Sequence, residues 1–215
     1  MKRRALLLTA AGALFGACLP LLAATPDVSP PAGAAKPLDV DALLHDPQTP
    51  TFGNPKGDVT IVAFFDYNCG YCRKSLPELE RLVTEDGKIR LVYKDWPILA
   101  ESSVVAAQLA LAANYQGHYV LAHKTLMNLS GKLTTERMSD ALAKAGIDRA
   151  KLAKDLKAHA GDIGALLKRT NEQAEALGLP GTPVYLVGPF KVAAALDYQG
   201  FKDVVDDARA RAAER

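Results

Sequence analysis

The sequence predicts an α/β domain in which strands and helices arrive as βαβ, then a helical insertion, then ββα. Three observations predict it. A continuous apolar, β-prone run, Val59 to Phe65, passes through Asp66-Tyr67-Asn68 into Cys69-Gly70-Tyr71-Cys72 and on into a helix-periodic stretch. The middle of the chain, about residues 101–177, is helix-periodic throughout, with glycines near the breaks. Strand character then returns at Val184 to Val187 and Val192 to Leu196, around the turn Gly188-Pro189-Phe190.

The chain opens on Lys2-Arg3-Arg4, an apolar stretch from Ala5 to about Ala24, and small residues ahead of a Pro-rich segment. That pattern is a secretory signal over residues 1–24, with cleavage expected after Ala23 or Ala24. The apolar stretch is also long enough to span a bilayer at roughly 20 residues. An uncleaved anchor, twin-Arg export through Arg3-Arg4 and lipidation of Cys18 are therefore its alternative fates. All of them place the domain outside the cytoplasm. Residues 25–49 are rich in Pro and Ala and read as a tether, with a short helix over Leu38 to Leu44. The folded domain is expected from about residue 50 to residue 215.

Thr49-Pro50 and Gly53-Asn54-Pro55-Lys56-Gly57-Asp58 read as turns. Val59 to Phe65 is apolar without alternation, as a strand buried on both faces requires. After Cys72, the positions Leu76, Leu79, Leu82 and Val83 have helical spacing, with an interruption expected at Pro77 and a stop near Gly87. Ile89 to Tyr93 is the next strand. Helices are expected over Ser102–Asn114, His118–Met127, Thr135–Lys144, Asp148–His159 and Ile163–Leu177. Their breaks fall near Gly117, Gly131, Gly146, Gly161 and Gly178. An amphipathic helix from Phe201 to about Ala213 closes the chain.

Charge excludes one class of function. The full sequence of 215 residues carries a formal net charge of +2. Without the three basic residues of the signal it holds 23 basic and 24 acidic residues, a net of −1. No basic footprint for nucleic acid remains. Of three cysteines, Cys18 lies in the signal, which leaves one isolated pair, Cys69 and Cys72. A single pair at this spacing points to thiol chemistry rather than to a disulfide framework.

The strand leading into Cys69-Gly70-Tyr71-Cys72, Pro77 five residues later, the helical insertion, and Gly181-Thr182-Pro183 before a late strand together resemble the DsbA family of thiol-disulfide oxidoreductases. Phe64-Phe65-Asp66-Tyr67-Asn68 ahead of the cysteines and Trp96-Pro97-Ile98-Leu99 are most similar to its ScsC-like and related extracytoplasmic branches. The resemblance spans the chain beyond residue 50. It implies a thioredoxin-like fold with a central mixed sheet, and a cis Thr182–Pro183 bond beside the cysteines. It also implies that Gly70, Tyr71, Thr182 and Pro183 tune the redox pair and hold substrate.

The cysteine chemistry follows from position. A thiol at a helix N-terminus faces unsatisfied N–H groups and the positive end of the helix dipole, which favour the thiolate. Cys69 is that thiol and is expected to be exposed. Cys72, one turn inside, is shielded and placed to resolve a mixed disulfide on Cys69. Gly70-Tyr71 supplies no cation, so a mild oxidant is expected. Backbone around Thr182 can pair with an extended client as an added strand would.

Many relatives carry a buried acid on the strand before the motif, and this chain has Ala63 there. Asp66, Lys94 and Asp95 are the nearest candidates to move a proton. The simpler reading makes Asp66 a turn-capping group and Lys94-Asp95 solvated strand-end charges. His45, His118, His123 and His159 have no metal-ligand spacing and read as surface or capping residues. Trp96, Phe64 and Phe65 read as core, and Lys151 to Lys157 as an exposed helix face.

Two functional classes follow. One is an extracytoplasmic thiol-disulfide exchange enzyme, oxidase or isomerase/reductase, without a cofactor. Its partners would be cysteine-containing exported proteins and a membrane redox protein. The other is a module holding copper(I) or another soft metal on two thiolates. The sequence does not indicate an oligomeric state.

Overall fold

The computed structural model describes residues 38–214. The export signal, its cleavage site, Cys18 and the Pro/Ala-rich segment up to residue 37 lie outside the described residues.

The centre of the fold is strand β2 (Val59–Phe65). It runs parallel to β3 (Ile89–Asp95), with Val59 opposite Ile89 and Phe65 opposite Asp95. It runs antiparallel to β4 (Val184–Val187), with Ala63 opposite Tyr185. The short strands β1 (Thr51–Gly53) and β5 (Phe190–Val192) close the edges, giving a mixed sheet in the order β1-β3-β2-β4-β5. The expectation of a thioredoxin-like α/β fold with a helical insertion is met.

Alternation along β2 divides the core. Ile61, Ala63 and Phe65 point into the larger cluster, with Cys72, Leu76 and Leu79 of helix α2 (Gly70–Asp86) and Phe201 and Val205 of the closing helix α8 (Tyr198–Ala213). Val62 and Phe64 point the other way. They meet Val92, Trp96, Leu43 of helix α1 (Val40–His45) and Ala174 of helix α7 (Ala160–Ala176). Helices cover both faces, which explains the unbroken apolar run. Helix α1 caps with Asp39, whose side chain accepts from the Ala42 N–H, and buries Leu43 to 4 % exposure. Packing thus extends N-terminal of residue 50.

The insertion is α3 (Glu101–Asn114), α4 (Tyr119–Met127), α5 (Thr135–Lys144), α6 (Arg149–Ala158) and α7. Thr134 and Asp148 cap α5 and α6 through their side chains. Alanines at 106, 107, 110, 112 and 113 let the neighbouring helices approach α3 closely.

Four local expectations are corrected. Pro77 does not interrupt α2, which runs through it and ends at Gly87, whose φ of 70° is the left-handed cap that glycine favours. The proline forgoes one backbone bond while buried neighbours on either side, Leu76 and Leu79, hold the helix on the sheet. Gly161 lies inside α7, and the break falls at His159 instead. Gly53, expected as the first residue of a turn, instead ends a strand, Thr51–Gly53, that pairs with the open edge of β3. The last hairpin turns on Gly188-Pro189 alone, so β5 is Phe190–Val192, ending at the residue where the strand Val192 to Leu196 is expected to begin, and residues 193–196 are not strand.

Candidate redox site

Residue Cys69 ends the turn that follows β2 and is the N-cap of α2. Its backbone is extended (φ −76°, ψ 111°), and its sulfur accepts from the Cys72 N–H at 3.2 Å. The turn is held at several points. The Asp66 carbonyl accepts from the Cys69 N–H at 3.1 Å. The Arg73 guanidinium donates to the Tyr67 carbonyl through Nε at 3.0 Å and Nη2 at 2.7 Å, and its Nη1 donates to the Leu129 carbonyl. Both cysteines are free thiols.

The Thr182–Pro183 bond is cis. It places the Thr182 carbonyl 3.3 Å from the Cys69 sulfur, which donates to it when protonated. Residue Cys69 is only 5 % exposed, with that carbonyl against its sulfur, and the expectation of an exposed thiol is corrected. Cys72 is fully buried. The Thr182 hydroxyl oxygen is buried without a partner of ordinary geometry and lies where it favours a thiolate on Cys69. Gly70 and Tyr71 are exposed, Tyr71 to 67 %. Tyr71, Pro180, Gly181, Thr182, Pro183 and Ala193–Ala195 line an open groove of about 450 Å³.

The two sulfurs titrate as an unequal pair. The Cys72 thiol hydrogen-bonds the Cys69 sulfur, and with the Thr182 hydroxyl and the Cys72 and Tyr71 amides this lowers Cys69 from 9.0 to about 6 against the opposing effect of burial. Burial, reinforced by the Cys69 charge, drives Cys72 strongly upward. One proton therefore sits on Cys72 at neutral pH, and Cys69 is the thiolate. Tyr185 stands near both sulfurs, and its hydroxyl shares a hydrogen bond with Ser75 on α2.

Ala63 is fully buried, opposite Tyr93 on one neighbouring strand and Tyr185 on the other. Both tyrosine hydroxyls reach α2, Tyr185 at Ser75 and Tyr93 at Glu80 Oε1, 2.6 Å away. Asp66 is a turn-capping group, accepting from the Asn68 N–H at 2.6 Å.

Lys94, Asp95 and His123 are not where the sequence puts them. Asp95 is 4 % and His123 1 % exposed. Asp95 accepts from the Tyr67 hydroxyl at 3.0 Å and the Tyr119 hydroxyl at 2.6 Å, and Tyr67 also meets His123 Nδ1 at 3.3 Å. Burial pushes Asp95 up to about 7, while burial and the nearby Lys124 push His123 down to about 3. Lys94 reaches Thr49 Oγ1 at 3.4 Å, and burial lowers it to about 8. These groups are buried because α1 and α7 lie against one face of β3 and α2 and α4 against the other. Trp96 is core, edge-on to Phe64 and bonded to Asn171. Among the described residues no group of three or more His, Cys, Asp or Glu side chains is placed to hold a metal ion.

A thiolate at a helix N-terminus, a buried partner thiol one turn inside and a cis-proline loop over both define a thiol-disulfide oxidoreductase of thioredoxin fold. A family profile described as Thioredoxin matches residues 45–207, and the chain belongs to that family. The fold is similar to a thioredoxin-like oxidoreductase from Silicibacter pomeroyi DSS-3, with TM-score 0.76 and 40 % identity, over 80 % of this chain and 99 % of that one. It is also similar to the catalytic domain of Proteus mirabilis ScsC, with TM-score 0.72 and 27 % identity, over 80 % and 94 %. In sequence it is 28 % identical over 172 residues to the thiol:disulfide interchange protein DsbA of Bordetella parapertussis, covering 70 % of this chain and 75 % of that protein. It also matches 137 residues of the Na(+)/H(+) antiporter NhaA 1 of Salinispora arenicola at 26 % identity, and spans 21 % of that protein. The chain is thus a DsbA-like exchange protein with Cys69 and Cys72 as its Cys-x-x-Cys pair.

Proposed function

We propose that this protein exchanges disulfides with cysteine-containing exported proteins outside the cytoplasm, through Cys69 as the attacking sulfur and Cys72 as the resolving one. The observation that carries the reading is the unequal pair, Cys69 lowered to about 6 beside a fully buried, protonated Cys72. The secretory pattern of residues 1–24 supports the location.

In the oxidising direction a client thiolate attacks Cys69 of the enzyme disulfide. The Cys69–Cys72 bond breaks, and Cys72 leaves as a thiolate that takes up a proton. A second client thiolate then attacks the client sulfur of the mixed disulfide and expels the Cys69 thiolate, so the client is oxidised by two electrons and the enzyme reduced. The reducing direction runs these steps backwards from the Cys69 thiolate. The groove beside Thr182 and Pro183 holds an extended client through main-chain groups, with Tyr71 on its rim. A membrane redox protein resets the pair.

Cys72→Ser removes the internal escape while leaving the nucleophile. Expressed with its export signal, this variant is expected to accumulate mixed disulfides with exported proteins on non-reducing gels, and adding Cys69→Ser is expected to abolish them. Trapping by Cys69→Ser but not by Cys72→Ser would reverse the roles. Trapping by neither, together with tight copper(I) uptake, would replace exchange with metal binding.

A further inference from the structure

Asp66 is fully buried at the start of the reactive turn, and all its acceptor positions are filled. Oδ1 accepts from the Asn68 N–H at 2.6 Å and from the Ser103 hydroxyl at 2.7 Å. Oδ2 accepts from the N–H groups of Ile98 and Leu99 at 2.8 and 2.9 Å. A carboxylate has about four such positions. Its four bonds are all to uncharged donors, and the nearest cation on the turn, Arg73, is directed instead at the Tyr67 and Leu129 carbonyls.

A buried carboxylate is costly to desolvate, and an apolar side chain would fill the same volume without that cost. What an apolar side chain cannot do is fix an amide. The carboxylate fixes the amide of Asn68, one residue before the reactive sulfur, and ties it to the loop after β3 and to the first turn of α3. The Asn68 side chain continues the tie, donating to the Ser102 and Ser103 hydroxyls at 3.0 and 2.8 Å. On the opposite side of the turn Arg73 holds the Tyr67 carbonyl. Between these two clamps the Cys69 sulfur sits 3.2 Å from the Cys72 nitrogen and 3.3 Å from the Thr182 carbonyl oxygen.

We infer that Asp66 is a positioning residue for thiol exchange, its saturated carboxylate locking the turn that presents the Cys69 sulfur to the Cys72 amide and the Thr182 loop. This role rests on Cys69 being the attacking thiol.

Asp66→Asn keeps the shape but turns one oxygen into a donor that faces other donors, so two of the four bonds are lost. The readout is the pH midpoint of Cys69 alkylation in the reduced protein, measured beside the parent. The variant is expected to raise the midpoint by about one unit, tenfold in the thiol–thiolate equilibrium. If the carboxylate acted only as a nearby negative charge, removing it would favour the thiolate and lower the midpoint. If it only held the fold together, stability would fall and the midpoint would stay. Either result overturns the inference. Ser103→Ala deletes one donor from outside the turn and is expected to raise the midpoint by less. Should Asp66→Asn fail to fold, an unmoved midpoint in folded Ser103→Ala overturns the inference instead. A parent midpoint near the free-thiol value would overturn the assignment of Cys69 itself, an outcome distinct from a low parent midpoint that the variants fail to move.

Discussion

Replacing Asp95 with Asn should change how stability depends on pH. Asp95 is raised from 3.8 to about 7 in the folded protein, first by burial, with the Tyr119 and Tyr67 hydrogen bonds opposing. Between about pH 4 and pH 7 the folded state keeps a proton on Asp95 that the unfolded chain has released, so this group's contribution to stability falls as pH rises. A shift of this size corresponds to about 4 kcal/mol at about 1.4 kcal/mol per unit. His123 has the opposite slope. It is lowered from 6.5 to about 3, so below its unfolded value the unfolded chain takes up a proton that the folded state refuses, and stability is lost as pH falls. In the parent the two slopes offset each other between about pH 4 and pH 6.5. Asp95→Asn leaves only the histidine slope. The stability of the variant relative to the parent should therefore improve by about 4 kcal/mol from pH 4 to pH 8. In urea titrations of the reduced protein that is a relative midpoint shift of about 2 M, at a typical slope of about 2 kcal/mol/M. A stability difference between variant and parent that stays constant to within about 1 kcal/mol from pH 4 to pH 8 would refute the reasoning.

Other outcomes follow from the same geometry. Ala63→Glu puts a carboxyl between Tyr93 and Tyr185. It should cost about 1–3 kcal/mol by overpacking while speeding Cys72-dependent release of mixed disulfides in stopped-flow exchange; an unchanged rate in a folded variant would show that the site already has a proton acceptor. Arg73→Ala removes the guanidinium from the Tyr67 and Leu129 carbonyls and should destabilise the protein by about 1–3 kcal/mol, read by urea unfolding. His123→Gln should leave only the Asp95 slope, so that the variant gains stability relative to the parent as pH falls from about 6.5 to about 4, and a variant–parent difference that stays constant over that range would assign the acid-side loss to other groups.

Much of this architecture could be read from the sequence, because local pattern and tertiary burial agree in it. Val59–Phe65 and Val184–Val187 are strands at the expected bounds, and Thr135–Lys144 is a helix between a threonine cap and a polar C-terminus. The cysteine pair and the cis Thr182–Pro183 bond lie where the motif and the resemblance put them. What could not be read depends on partners far along the chain. Asp95 looks like a solvated strand end until Tyr67 and Tyr119 are brought to it, from 28 and 24 residues away. His123 carries no sequence signal for its packing against Phe65 and Tyr93. Arg73 lies just beyond the cysteine pair and belongs to no motif, yet it clamps the turn. Its position four residues after Cys69, one helical turn on, was the available signal. For Asp66 the turn-capping role was legible, whereas its bonds to Ile98, Leu99 and Ser103 needed the fold.

The central claim is the inequality of the two sulfurs, and site-resolved alkylation tests it most directly. The reduced protein would be treated with iodoacetamide across pH 4 to pH 10, quenched, digested, and the labelled cysteine peptides quantified by mass. The account predicts labelling of Cys69 with a midpoint near 6 and essentially none of Cys72 in the folded protein. Equal labelling of both, with midpoints near the free value of about 8.5, would contradict it.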